Sequence, residues 1–490
     1  MIDNNSLFPK VVRGGAWIFG LRAIDAALGF LRIIVLARLL APRDFGLFGV
    51  ALLALSILES FSKTGFDTAI IQRKDDVKGY LDTVWTVQII RGFILGGILF
   101  FGAPLVADFF KEPAALLLVR ILAFSELLKP CANIGVIYFK KELQFNKVFV
   151  YSLAGTLVSL AVVIPTAFIL RSVWALVLGL FAGQATTVVV SYFIHPYRPR
   201  IVLDVKRCKE LFSFGKWITV SWMILFLVVH GDDIFVGRLL GAAALGFYQM
   251  AYRISNISAT EIAHVISQVT FPAYAKFQED IQRLKESYLR ILDITLFLTV
   301  SMAAAIFVLI PDFTRLLLGE KWMPMVPTAR ILVFYGLLRA IAASTGPVFV
   351  ALGRPKVETA WQGVRLLVLV LLIYPLTISF GLEGTALAVF FSMLISWIGF
   401  SVSAVKITKC PAKQFIKVIS CSFVNGAVII AVITLLKNRV IQQVGLLDLA
   451  LMAGLICAIS VFSLFILESL FKCRTKTIIK DIITGYGRMA

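Results

Sequence analysis

The sequence predicts an all-α integral membrane protein of about 14 transmembrane helices. They form two six-helix lobes related by a parallel internal repeat, plus two C-terminal helices. Three observations predict this class. The 490 residues are 59% hydrophobic and 16% charged, with mean hydropathy +0.91, where soluble domains run about 45–50% apolar and about 25% charged. The apolar residues lie in runs that match the roughly 20 helical residues needed to cross a bilayer. A stretch of the first lobe also recurs 200 residues later. No water-soluble core of this size hides so much apolar surface.

Taken in order, apolar runs bounded by charges place helices near 12–34, 45–67, 83–107, 114–138, 148–170 and 173–195. A second set lies near 212–232, 247–270, 287–311, 326–350, 361–380 and 383–405, and two more near 413–435 and 447–470. Twelve or thirteen spans would also be compatible, because several runs are amphipathic. The run from Ala16 has no small-residue cleavage site and leads into further spans, so it reads as a retained first helix and not a signal peptide.

The net charge of +20 would suggest nucleic acid in a soluble chain. Here the basic residues sit in short loops, where they orient spans, and no nucleic-acid partner is expected. With the N-terminus inside, cytoplasmic segments hold 29 of the 48 Lys and Arg, external loops nine, and spans ten. Both termini are therefore expected in the cytoplasm. The longest connection, from His195 to about Leu211, is basic and internal. It divides the chain into lobes 1–200 and 201–410, followed by 411–490 with two extra spans and a basic cytoplasmic tail.

Residues 15–51 align without gaps on residues 215–251 with ten identities, among them Gly15/Gly215, Trp17/Trp217, Arg38/Arg238 and Gly46/Gly246. The offset spans six helices, an even number, so both halves insert with the same orientation. Parallel repeats of this kind characterise transporters whose substrate site lies between the halves.

The ten basic residues within spans are Arg22, Arg32, Lys63, Arg91, Arg120, Lys129, Arg253, Arg330, Arg339 and Arg365. Each costs about 2.5–3.5 kcal/mol at a helix centre on insertion scales. They slightly outnumber their plausible acidic partners, which implies a cationic, water-filled cavity suited to an anionic substrate. Glu59, Lys63 and Asp67 follow i, i+4, i+8 on helix two, and Arg22 and Asp25 stand at i, i+3; each set is either a packing ion pair or a substrate contact. On helix eight, Arg253, Asn256, Thr260, His264 and Ser267 form one polar stripe that faces the bundle or a cavity. Asp232 and Asp233 are read as ending helix seven beside His230.

The chemistry of catalysis is absent. There is no G-x-x-x-x-G-K-[ST] loop, H-E-x-x-H or G-x-S-x-G, and the chain has three histidines and no external domain. No enzyme activity and no cofactor is expected. None of the six cysteines is placed for an external disulfide or spaced as a metal ligand.

Several motifs point one way: "LGFLRIIVLARLLAPRDFGLFGVA" at 28–51, "TGFDTAIIQR" at 64–73, "DDIFVGRLLGAAALGFYQMAYRI" at 232–254, "FPAYAKF", "GEKW" and "ALGRPK". Over about residues 10–410 the chain resembles Wzx-type polysaccharide flippases. More closely it resembles the colanic acid exporter branch of the polysaccharide transport family, within the multidrug/oligosaccharidyl-lipid/polysaccharide exporter superfamily. The resemblance implies a V-shaped pair of lobes in a bacterial inner membrane, alternating between inward- and outward-facing states. It implies an undecaprenyl-pyrophosphate-linked oligosaccharide as substrate, moved from inner to outer leaflet for exopolysaccharide, capsule or O-antigen synthesis. The partners expected beside that substrate are membrane lipids and polysaccharide polymerase and export machinery. Related lipid II flippases carry cavity arginines that match Arg32 and Arg253, while a third aligns near Glu59. The expected substrate residues are Arg32, Arg253, Asn256, Thr260, Arg22, Asp25, Arg91 and Arg339; Glu59, Asp233 and His264 are candidates for ion coupling, and none is expected for metal. The competing reading is a drug or ion antiporter of the same superfamily, which would favour acidic cavity residues.

Overall fold

Every regular element among the described residues is helical. The structure is a computed structural model that describes residues 4–63, 65, 66, 70, 78–142, 144–257, 259, 260, 270, 274, 277, 279–440 and 445–471. The first group of helices is α1 (Asn4–Leu39), α2 (Pro42–Phe61), α3 (Lys78–Phe110), α4 (Ala114–Leu128), α5 (Phe145–Leu170) and α6 (Trp174–Ile194). The second is α7 (Val205–Leu240), α8 (Ala242–Ser255), α9 (Ile281–Phe313), α10 (Val326–Ala351) and α11 (Pro355–Ile407), followed by α12 (Ala412–Val440) and α13 (Leu446–Phe471). Eight helices among the described residues are long and apolar enough to cross a membrane. Their outer faces carry large apolar side chains in the open: Phe193 is 86% exposed, Phe101 81% and Ile169 79%. Water would not tolerate such a surface, whereas lipid favours it.

α11 counts as one element of 53 residues, about 80 Å at 1.5 Å per residue and far more than one crossing needs. It breaks at Gly381 (φ 58°), a left-handed conformation that glycine adopts without penalty. The two arms fold back on each other. Trp361 Nε1 donates to Ser403 Oγ (3.1 Å), Ser396 Oγ donates to Trp361 O (3.1 Å), and the Thr377 and Thr385 hydroxyls meet at 2.9 Å. One long helix is thus a hairpin of two spans, as the separate runs near 361–380 and 383–405 anticipate.

The described chain forms two compact units, Met1–Gly246 and Phe247–Ala490. In the first, α2 packs on α4 and α7, and α5 on α6 and α1. The core between α2, α3 and α4 is built from Ala51, Leu55, Leu99, Ala103, Leu118 and Leu122. The start of α8 crosses the start of α2 where the repeat pairs Gly46 with Gly246. A Cβ on Gly46 would fall on the Ala242 carbonyl oxygen and 3.0 Å from Gly246 N. A Cβ on Gly246 would fall on the Pro42 carbonyl oxygen and 3.1 Å from Gly46 N. Each contact is the other shifted by 200 residues. Glu112, in the α3–α4 turn, closes the same end: Arg43 Nη2 donates to its Oε2 (3.0 Å) and the Ala242 amide to its Oε1 (3.2 Å). A carboxylate at the first amide of α8 meets the unpaired, partly positive end of that helix.

The connection between α6 and α7 is strapped down. Asn133, fully buried, donates through Nδ2 to the His195 (3.3 Å) and Tyr197 (2.6 Å) carbonyls, and Asp82 Oδ1 accepts from Tyr197 OH (2.7 Å) and the Arg200 amide (2.8 Å). The Val202 amide donates to Thr86 Oγ1 (3.0 Å), and Asp204 caps α7 by accepting from the Lys206 and Arg207 amides. Burial holds the His195 imidazole below its ordinary pKa, so its Nδ1 accepts from the Tyr197 amide (3.1 Å).

In the second unit α9 is the central helix, against α10 on one side and α12 on the other. Tyr288, Leu292, Leu296, Ile341, Phe349 and Phe400 form its main core. The C-terminal pair joins through Val308, Ile429, Ile433, Met452 and Ile456. Asn425 Nδ2 donates to Ser301 Oγ (3.0 Å) and Lys437 pairs with Asp312. Cys421 on α12 is disulfide-bonded, while Cys131, Cys208, Cys410 and Cys457 are free thiols.

Three expectations need correction. Helix two ends at Phe61, so Lys63 lies beyond it and is not the middle of a charged ladder; Asp67 lies outside the described residues. α7 continues to Leu240, which puts Asp232 and Asp233 about two turns inside the helix and not at its end. α8 ends at Ser255, and Asn256 sits in a turn before helical backbone resumes.

Candidate substrate site

The charged residues inside the spans separate into three kinds. The first are neutralised by one another. Lys129 Nζ lies 2.5 Å from Glu59 Oε1 and 3.1 Å from Glu126 Oε1, which ties α2 to the end of α4. Arg91 on α3 donates to Ser62 Oγ through Nε (3.1 Å) and Nη2 (2.9 Å), and to the Glu59 carbonyl through Nη2 (3.1 Å). It satisfies carbonyl-end groups of α2 that would otherwise be left open at a helix terminus. Glu59 and Arg91, expected at an ion or substrate site, thus stand in a five-residue cluster with Ser62, Glu126 and Lys129 that locks α2, α3 and α4. Asp233 Oδ2 lies 3.3 Å from His230 Nδ1 on the same helix.

The second kind lies against aromatic faces. Arg120 Cζ on α4 is 5.4 Å from the Phe100 ring on α3, and Arg330 Cζ on α10 is 5.2 Å from the Phe307 ring on α9. In both, Nε is buried without a hydrogen-bond partner. The same cation–π device occupies the corresponding helix pair of each half.

The third kind has neither support. Arg32 on α1 is half-buried and forms no hydrogen bond or ion pair among the described residues, and Asp25 Oδ1, two turns earlier, is buried without a hydrogen-bond partner. The side chain of Arg22 and all of His264 and Ser267 lie outside the described residues, so the Arg22–Asp25 pairing and the far end of the helix-eight stripe do too.

In the second unit three expected residues come together. Arg339 on α10 donates through Nη1 to Tyr252 OH (3.1 Å) and through Nη2 to Thr260 Oγ1. Asn256 lies between them, 2% exposed; its Nδ2 donates to the Tyr252 carbonyl (3.1 Å) and its Oδ1 has no hydrogen-bond partner. α10 comes close because it presents Gly336 there, where a Cβ would sit 3.0 Å from Asn256 Oδ1. Tyr335, one turn before Arg339, places its hydroxyl 3.4 Å from that of Tyr252 and accepts from Arg365 Nη2 (2.9 Å). Neither Arg339 nor Arg365 forms an ion pair among the described residues. The stripe therefore runs through Tyr252, Asn256 and Thr260, at i, i+4, i+8, and not through Arg253. Arg253 is one residue round the helix and exposed.

Among the described residues the cluster offers guanidinium, phenol, amide and hydroxyl groups and no carboxylate, a set that can receive an anion in a low-dielectric setting. A family profile described as polysaccharide biosynthesis protein matches residues 35–327. The chain belongs to that family. Among its relatives, the lipopolysaccharide biosynthesis protein WzxC of Escherichia coli (strain K12) is 26% identical over 355 residues, 72% of each chain. The teichuronic acid biosynthesis protein TuaB of Bacillus subtilis (strain 168) is 28% identical over 306 residues, 62% of this chain and 63% of that one. The fold matches the lipid II flippase MurJ in its inward closed conformation with TM-score 0.72 at 14% identity, covering 94% of this chain and all of that one. It also matches an inward-facing multidrug MATE transporter with TM-score 0.61 at 16% identity, over 79% of this chain and 96% of that one. This member of the polysaccharide biosynthesis family therefore has the helical transporter fold that its sequence predicts.

Proposed function

We propose that the chain flips an undecaprenyl-pyrophosphate-linked oligosaccharide from the cytoplasmic to the outer leaflet of a bacterial inner membrane by alternating access, for cell-surface polysaccharide synthesis. The observation that carries this reading is the arginine cluster around Arg339, which has no carboxylate among the described residues, in a chain of the polysaccharide biosynthesis family. Pyrophosphate is the costly part of such a substrate to bring into an apolar layer, and guanidinium groups offer it permanent charge and paired donors. The polyprenyl tail stays in lipid, and hydroxyl and amide groups such as Thr260 and Asn256 suit sugars. Arg32 in lobe 1–200 supplies another guanidinium without a described partner. Both termini face the cytoplasm, polymerase and export machinery take the product onward, and the chain performs no covalent chemistry. Drug antiport is less well supported: the span carboxylates Glu59 and Glu126 are already taken by Lys129.

The test is export. Arg32→Gln and Arg339→Gln, each in a strain lacking the native gene, should accumulate in the membrane at normal levels and lose most polysaccharide export. Lys at the same positions should restore part of it, keeping charge but not the planar fork. Normal export by both Gln variants at wild-type protein levels would defeat the reading.

A further inference from the structure

Arg365 is a cation that the site does not at first need. It lies on the first arm of α11, 7% exposed, with no ion pair and with Nε lacking any hydrogen-bond partner among the described residues. Burying an uncompensated charge is expensive, so such a group persists only where something uses it. Its one hydrogen bond goes from Nη2 to Tyr335 OH (2.9 Å), and its Cζ lies 5.6 Å from the same ring.

We propose that Arg365 is a positioning residue for anion binding, acting on Arg339 through the hydroxyls of Tyr335 and Tyr252; this rests on the substrate-site reading above. Tyr335 is 2% exposed, and among the described residues its hydrogen-bond neighbours are Arg365 and Tyr252. The guanidinium can only donate, so Tyr335 accepts from it and keeps its own proton free for Tyr252, whose hydroxyl lies 3.4 Å away. The positive charge behind Tyr335 makes that proton a better donor, since hydrogen bonds in a chain polarise one another. Tyr252 oxygen then receives Tyr335 from one side and Arg339 Nη1 (3.1 Å) from the other, which fixes its ring. Arg339 is thereby held at both ends of its fork, by Tyr252 and by Thr260, before any anion arrives. Tyr335 and Arg339 share one face of α10 at i, i+4, so the helix carries both the bridge and the group it steadies.

The experiment is a double-mutant cycle on the full chain in nanodiscs, with inorganic pyrophosphate as probe and the melting temperature measured alongside. Arg365→Gln should weaken binding by about fivefold or more at an unchanged melting temperature. The loss should vanish in an Arg339→Gln background, because Arg365 acts only through Arg339. Tyr335→Phe keeps the ring beside Arg365 and removes the hydroxyl, so it should reproduce the loss even if Arg365→Gln fails to fold; Arg365→Lys should fall between Gln and wild type. Unchanged binding by Tyr335→Phe, or an equal loss from Arg365→Gln with and without Arg339, overturns the proposal while leaving the site in place. If Arg339→Gln binds pyrophosphate as wild type does, the substrate-site reading itself falls.

Discussion

A single methyl group at the crossing of α2 and α8 is the sharpest perturbation that the fold offers. In Gly46→Ala the new carbon would land on the Ala242 carbonyl oxygen, a backbone atom that cannot swing aside. The helices would have to part by on the order of 1 Å, enough to forfeit a quarter to a half of the dispersion energy at their other contacts. Overpacking of this kind costs about 1–3 kcal/mol, and a backbone obstacle puts it at the upper end. Alanine returns about 1 kcal/mol of helix propensity, leaving a net loss of about 2 kcal/mol. At about 2–4 °C per kcal/mol for a unit of this size, the melting temperature should fall by about 4–8 °C. The assay is fluorescence-monitored unfolding of the purified protein in detergent. Gly246→Ala should cost a similar amount, since its carbon would strike the Pro42 carbonyl oxygen. The double variant should lose less than the sum by at least about 0.5 kcal/mol, because the second methyl enters space that the first has opened. A melting temperature within about 1 °C of wild type for either single variant, or strict additivity in the double, would refute the reasoning.

Lys129→Gln should leave Glu126, 5% exposed, facing Glu59 without a cation and cost about 2–3 kcal/mol, discounted for the partial exposure of the lysine; membrane accumulation should drop, and normal accumulation at wild-type stability would count against the cluster. The strap at 195–204 should loosen in acid. Burial lowers the His195 pKa below its usual 6.5, so its stabilising contribution is complete above that value and is lost as pH falls toward the lowered one. Hydrogen exchange of that segment, corrected for intrinsic rates, should rise between about pH 7.5 and about pH 5; equal protection would sink the expectation. Cysteine at Arg200 or Glu279, in a background without native cysteines, should react only with membrane-permeant thiol reagents, and cysteine at Glu320 with impermeant ones. Labelling of either of the first two from outside would reverse the assigned orientation.

Much of this was legible because lipid demands simple patterns. The spans follow from apolar length, and the repeat from residues such as Gly46 and Gly246 that backbone contact leaves no freedom to vary. What stayed hidden depends on rotation about a helix. Arg253 and Tyr252 are neighbours in sequence and about 100° apart on the helix, and the residue of interest looked like the charged one. Tyr335 carried no charge to mark it, although its i, i+4 relation to Arg339 was visible. Arg91 serves the end of α2 through the Glu59 carbonyl and the Ser62 hydroxyl, an end that the apolar run places six residues too late.

The reciprocal glycine contact also speaks to descent. A surface in which one residue meets its own counterpart's neighbour, and is met by it in return, is the mark of an isologous two-fold interface. Here both partners of that interface sit in one polypeptide, Gly46 against Ala242 and Gly246 against Pro42. Two separate copies of a six-helix ancestor, inserted with the same orientation, would have made this contact with one sequence serving both sides. In one chain each side can change alone, and the two sides differ where Pro42 stands at the place of Ala242. The two glycines did not diverge, because at a symmetric crossing a side chain on either one obstructs both.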